Sequence, residues 1–203
     1  MGLVKKQAGP QLSESSAPLG DPRVALSSPD PEARRAGAVL LMDAEDAQQL
    51  LAEHVAVEQD AVVREAMLTA LVGSHDVGAA RILAQLLRGE DAALRNAVAD
   101  TLGRMPAAAA IIEELLVDQD PDVRVMTVML LRSLQLAAVP QWLLGVIERD
   151  SDANVVGGAL GELAEVGDAT MIAVLERAPA RFPGDPFIAF SAAVAVARFR
   201  ESV

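Results

Sequence analysis

Over most of the chain apolar residues recur three and four positions apart, the spacing that lays them along one face of an α-helix. Ala66, Met67, Ala70 and Leu71 form one such face, and Val125, Val128, Met129 and Leu131 another. Each first helix is followed by a second apolar group: Leu50-Leu51, Ile82-Leu83 with Leu86-Leu87, Ile111-Ile112 with Leu115-Leu116, Leu143-Leu144 with Ile147, and Ile172 with Leu175. Turn-forming residues separate the two groups, at Met42-Asp43, Gly73-Ser74, Met105-Pro106, Ala138-Val139-Pro140 and Gly167-Asp168. The pattern predicts five helical hairpins and a last helix from Pro186 to about Arg200. No stretch alternates with a period of two between hairpin turns, so no sheet is expected.

The polar positions repeat as well. Asp-x-x-[Val/Leu]-Arg, or a near match, begins at Asp30, Asp60, Asp91, Asp120, Asp152 and Asp185, at intervals of 30, 31, 29, 32 and 33 residues. Aspartate is a good helix N-cap, because its carboxylate accepts backbone N–H groups left over in the first turn. Pro31, Pro121 and Pro186 directly follow three of these aspartates, and proline suits the first helical position, where its missing N–H costs nothing. The arginine of the motif (Arg34, Arg64, Arg95, Arg124) stands one turn along, placed to pair with its own cap or with the aspartate of the next repeat.

These residues together resemble HEAT repeats, of the short bacterial kind found in phycobilisome lyases. The resemblance spans about residues 30 to 200. Tetratricopeptide and ankyrin repeats have nearby periods, but their Trp-Leu-Gly-Tyr and Thr-Pro-Leu-His signatures are absent. The resemblance implies an all-α fold: a right-handed α-solenoid of about five HEAT-like helical hairpins plus a C-terminal capping helix, with the second helices lining a concave side. Residues 1–21 are expected to be a disordered tail and 22–203 the solenoid domain, since Gln7 to Gly20 is rich in Ser, Pro, Gly and Gln. Asp21 to Leu26 is expected to form a capping turn. Phe187, Phe190 and Phe199 either fill the exposed end of the core or make a dimer contact, so monomer and homodimer both stay open.

Composition narrows the function classes. The hydrophobic fraction is 52 % but aromatics are only 2 %, a core of Ala, Leu and Val that suits closely packed helices. There is no cysteine, which removes disulfides and thiolate metal sites. The charged start MGLVKK is followed by no apolar run of signal-peptide length, and no window approaches a membrane span, so a cytoplasmic protein with no membrane contact is expected. Seventeen basic against 29 acidic residues give a net charge of −12. That balance disfavours nucleic acid, and it either keeps the protein soluble or attracts a partner with a basic surface.

Catalytic chemistry has little to work with. The two histidines are His54 and His75. Ser74-His75-Asp76 are adjacent, whereas a working triad is assembled from separated segments, and Ser74 is expected to cap a helix. The histidines with Glu53 or Asp76 lack metal-ligand spacing. Glu113-Glu114, Asp118, Asp120 and Asp122 read as a solvated face. Gly157-Gly158 and Gly161 belong to no phosphate loop, since no Lys-Ser/Thr follows them. Gly157 and Gly161 share a helix face that invites a close neighbour. The single Trp142 is expected either to pack beside those glycines or to stand on a binding face as an anchor.

No catalytic, metal or cofactor site is therefore expected. The leading expectation is a non-catalytic scaffold or adaptor that binds a partner protein on a concave, largely acidic face. Its proposed contacts are Gln48, Gln49, Glu53, Arg81, Gln85, Arg88, Glu113, Glu114, Gln141, Trp142, Glu148 and Arg149. The resemblance implies a second possibility, a lyase-like maturation factor acting on a protein-bound chromophore. The charge allows a third, an acidic inhibitor, antitoxin-like, of a basic enzyme.

Overall fold

A computed structural model describes residues 20–201. Of the tail expected over residues 1–21, all but Gly20 and Asp21 lies outside the described residues. Every regular element among the described residues is helical, and none is a strand. The chain is all-α. In order the α-helices are α1 (Pro22–Ala25), α2 (Pro31–Leu40), α3 (Gln48–Val57), α4 (Ala61–Leu71), α5 (Val77–Gln85) and α6 (Ala92–Gly103). They continue as α7 (Ile112–Leu115), α8 (Pro121–Leu134), α9 (Val139–Arg149), α10 (Ala153–Val166), α11 (Ile172–Arg181) and α12 (Pro186–Glu201). Short 3₁₀ turns, Glu45–Ala47, Pro106–Ala110 and Ala169–Met171, lead into α3, α7 and α11, and Leu86–Arg88 extends α5.

The first helices pack in sequence: α2 on α4, α4 on α6, α6 on α8, α8 on α10 and α10 on α12. The second helices follow alongside, α3 against α5, α5 against the Pro106–Ala110 turn, and α9 against α11. Between the two sets runs one buried cluster that includes Leu51, Met67, Leu83, Leu102, Ile112, Leu131, Leu143, Leu160 and Leu175. Each such side chain contributes about 1.5–3 kcal/mol by leaving water, so an aliphatic core suffices without aromatics.

All six repeat aspartates cap helices. Asp30 accepts from the Glu32 N–H, Asp60 from Val62 and Val63, Asp91 from Ala93 and Leu94, and Asp120 from Asp122. Asp152 accepts from Asn154 and Val155, and Asp185 from Phe187 and Ile188. Losing a cap of this type costs about 1 kcal/mol. Asp91→Ala is therefore expected to lower stability in urea unfolding by about that much, and Asp91→Asn by far less. Asp21 caps α1 in the same way, and α1 packs on α2 over Gly37, where a Cβ would lie 2.8 Å from the Pro22 carbonyl oxygen.

Several expectations need correction. The motif arginines do not pair with their own caps. Each reaches back six residues to a carbonyl of the linker before its helix: Arg34 to Ser28, Arg64 to Glu58, Arg95 to Gly89 and Arg124 to Asp118. Arg34 and Arg124 also grip a carboxylate of the next linker in a bidentate pair, Arg34 with Glu58 at 2.7 and 2.9 Å and Arg124 with Asp150 at 2.7 and 3.0 Å. Only Arg64 meets the next cap, with 3.6 Å to Asp91. Glu58 and Asp150 each stand two residues before a cap and accept its N–H, so one carboxylate ties two repeats together.

Asp76, not Ser74, caps α5, and the Ser74 hydroxyl accepts from the Asp76 N–H. Pro140 lies inside the first turn of α9 rather than in the connecting turn, a position where proline is tolerated. Of the three phenylalanines only Phe199 is in the core. Helix α12 turns Ile188, Ala192, Ala195, Val196 and Phe199 inward, which puts Phe190 on the outside, and the exposed Phe187 ring lies against Gly157.

Candidate partner-binding groove

The second arm of the third hairpin has the shortest α-helix, preceded by the Pro106–Ala110 turn. Helix α7 has four residues, while α9 beside it has 11. Between the end of that arm and α9 lies an open groove of about 630 Å³. Glu113, Leu116, Val117 and Asp118 form one wall, and Gln141, Trp142, Gly145, Val146 and Arg149 the other. Arg124, Asp150 and Ser151 close the end.

Trp142 is half-buried in the wall, and its indole N–H donates to Glu113 Oε1 at 3.2 Å. It does not pack beside the glycines of α10: Phe187 occupies Gly157, and a Cβ at Gly161 would meet nothing within 4 Å. Gly145, one turn before Arg149, leaves room for the guanidinium to fold back along α9, since a Cβ there would collide with it. The Arg149 side chain has no hydrogen-bond or ion-pair partner among the described residues. By contrast, Asp150 holds Arg124 so firmly that the Arg124 pKa is raised above its ordinary value. Val117 is 78 % exposed at the rim. The groove thus offers an aromatic face, aliphatic edges, one unpaired cation and the carboxylate of Glu113.

Four of the twelve residues singled out from the sequence (Glu113, Gln141, Trp142 and Arg149) meet in this groove. Most of the others are exposed and pair across neighbouring second arms. Gln49 donates to Asp76, Arg81 pairs with Glu114, Arg88 with Asp118, and Glu148 stands 3.5 Å from Arg177. Glu53 and Gln85 are exposed with no side-chain partner among the described residues. Gln48 is a correction: it is only 5 % exposed, because its amide turns inward to donate to the carbonyls of Met42 and Ala44. The twelve carry four carboxylates (Glu53, Glu113, Glu114, Glu148) against three guanidinium groups (Arg81, Arg88, Arg149), and two of the seven charges neutralise each other as the Arg81–Glu114 pair.

Sequence reasoning missed the Ser27–His54 contact. His54 Nδ1 lies 2.9 Å from the Leu50 carbonyl oxygen and so donates to it, and Nε2 lies 3.3 Å from the Ser27 hydroxyl. A carbonyl rather than a carboxylate orients this imidazole. The nearby Arg34 guanidinium is spent on Glu58, Ser28 and Pro29. Among the described residues no three of His, Cys, Asp and Glu are placed to hold a metal ion, and no helix is long and apolar enough to cross a membrane.

The chain matches no protein-family model and no curated protein. Among solved structures it is similar to a crystal structure of an engineered protein, at 16 % identity over 89 % of this chain and 95 % of that one, with a TM-score of 0.43. That likeness is too distant to bear on function.

Proposed function

We propose that the protein is a non-catalytic scaffold that holds a partner protein against its second helices, with the Trp142 groove as the anchor point. The single observation carrying this reading is the half-buried indole in an open groove beside an unpaired arginine. Large aromatic and arginine side chains at the centre of a concavity supply most of the energy in protein interfaces, and a polar rim excludes water around them. The packing of every first helix on the next, with repeated caps and linker arginines, supports a right-handed α-solenoid of HEAT-like hairpins as the frame. The net charge of −12 favours a partner with a basic surface by speeding encounter, while the groove itself selects an apolar side chain. A cytoplasmic location and a monomeric or dimeric state belong to the same proposal.

The test is capture on immobilised protein, wild type beside Trp142→Ala, with thermal unfolding as the control for folding. Trp142→Ala is expected to weaken a specific partner at least about tenfold, the effect typical of an interface hot spot. A partner retained equally by both proteins would remove the groove from the interface. If nothing is retained by wild type under low salt, the scaffold reading fails.

A further inference from the structure

The row of first helices is closed at one end and open at the other. At the start α1 covers α2, and Leu26 at the end of α1 is buried. At the far end α12 packs on α10 and α11, and no described residue covers its remaining side. Counted from its capping aspartate, each first helix turns the same positions towards its successor. The fifth residue of α10, Gly157, lies against the Phe187 ring of α12. The eighth of α8, Val128, comes 3.5 Å from where a Cβ on Gly158 of α10 would stand. The twelfth of α6, Gly103, lies against Ser133 of α8. In α12 these positions are Phe190, Ala193 and Ala197, and all three are exposed.

This side of α12 is not built to face water. The eighth position is buried in every earlier first helix, as Ala38, Leu68, Ala99, Val128 and Leu160. The fifth is Arg35, Glu65 and Asn96 in α2, α4 and α6, but in α12 it is Phe190, 68 % exposed. From Pro186 to Ala197 no residue is charged, and the neighbouring Val194 is 46 % exposed. A contiguous apolar patch of this kind marks an interaction surface. Its occupant follows from continuity, shape and charge. Every other first helix fills these positions with another helix of the row, and a second copy of the chain brings a helix of that same type. The large Phe190 lies towards one end of the face and the small Ala197 towards the other, so the face complements itself when turned end for end. Asp185 stands at one end and Arg200, which also pairs with Glu176, at the other. An antiparallel pair therefore brings unlike charges together, where a parallel pair would set like charges side by side.

We propose that this face pairs with the same face of a second copy of the chain in an antiparallel two-fold dimer, with Phe190 of each copy over Ala197 of the other and Ala193 near the axis. Such a contact is isologous and closes on itself, so assembly stops at two. A fully buried phenylalanine covers about 150–250 Å², and with Val194 and the alanines two such faces would bury about 900 Å² in all. That is the low end for a specific interface, so the pair is weak and depends on concentration. The pairing goes beyond the scaffold reading, which leaves monomer and dimer open, and it shares no residue with the Trp142 groove.

The test is sedimentation equilibrium of the full chain across about a hundredfold range of concentration. The mean mass is expected to rise from that of one chain towards that of two and no further. Phe190→Glu should weaken the pair at least about tenfold while thermal unfolding stays unchanged, since the ring is exposed. Val39→Glu places the same charge at an exposed position of α2 and should change association by less than about twofold. Each copy carries a net charge of −12, so added salt should tighten the pair by screening the repulsion. The chain has no cysteine, so Ala193→Cys should link two copies on mild oxidation, and Ala197→Cys far more slowly. A single-chain mass at every concentration would overturn the proposal and leave the face to a different partner. A mass climbing past two chains would also overturn it, because that means open-ended stacking. So would dissociation by salt, equal weakening by the two glutamate substitutions, or equally fast linking of the two cysteine variants.

Discussion

Replacing Glu58 with glutamine is expected to lower the stability of the protein by about 2 kcal/mol in urea unfolding at pH 7. Glu58 is the carboxylate through which the first two repeats are joined, with its side chain 4 % exposed and that of Arg34 18 % exposed. Besides the bidentate Arg34 pair it accepts the N–H groups of Gln59 and Asp60. The hydrogen bonds from Arg34, followed by those backbone N–H groups, hold its pKa down at about 2 against an ordinary 4.5, and outweigh the opposing effect of burial. At about 1.4 kcal/mol per unit this corresponds to at most about 3.5 kcal/mol, which partial solvent access to the pair reduces to about 2. The sign follows from the depressed value. The unfolded chain takes up the proton first as pH falls, so the contribution is complete above about pH 4.5 and disappears as pH drops towards 2. Urea midpoints measured from pH 6 to pH 2.5 should therefore converge for wild type and Glu58→Gln. The exposed Arg35–Glu32 pair serves as the control: Glu32→Gln should change stability by less than about 0.5 kcal/mol. A Glu58→Gln protein as stable as wild type at pH 7 would show that the linker carboxylate does not join the repeats.

Gly103→Val is expected to cost about 3 kcal/mol, the second large effect. Gly103 ends α6 where that helix passes α8. A Cβ there would lie 2.9 Å from Ser133 Cβ and 3.3 Å from the Leu130 carbonyl oxygen. Neither atom can step aside without moving the α8 backbone, and overpacking of this kind costs about 1–3 kcal/mol, with the branched side chain at the upper end. Gly103→Ala should be milder, because alanine regains up to about 1 kcal/mol of helix propensity. Ser133→Gly in the Gly103→Val background should restore at least half of the loss, and a double-mutant cycle would measure this coupling. Additive effects would mean that the two helices do not touch at these residues.

What could be read from the chain was what lies close along it. Asp30, Asp60, Asp91, Asp120, Asp152 and Asp185 were recognisable as caps because a cap acts on N–H groups two and three residues away. The helix pairs followed from apolar spacing for the same reason. The arginine contacts were not legible, because Arg34 meets Glu58 across 24 residues and nothing in the motif marks the residue two before the cap as its partner. Phe187, Phe190 and Phe199 stayed open between core and contact surface, because which of them is buried depends on which side of α12 each occupies. The groove was half legible. Trp142, Glu113, Gln141 and Arg149 stood out as polar or aromatic residues on second arms, but that Leu116, Val117 and Asp118 form the facing wall depends on how α7 and α9 sit side by side, which no local motif announces. Gln48 was read as a surface residue because its inward turn depends on carbonyls of the connection between α2 and α3, which side-chain polarity alone does not reveal.

The linker contacts also differ from joint to joint, and so does the chemistry that holds neighbouring repeats together. Between the first and second repeats, and again between the fourth and fifth, a bidentate arginine–carboxylate pair crosses the boundary. Between the second and third the corresponding linker position is Gly89, and Arg64 reaches across only to Asp91, at 3.6 Å. That joint is held instead by backbone, the Gly73 N–H donating to the Arg104 carbonyl and the Ala107 N–H to the Ser74 carbonyl between the turns of the second and third hairpins, so its hold does not depend on side-chain charge.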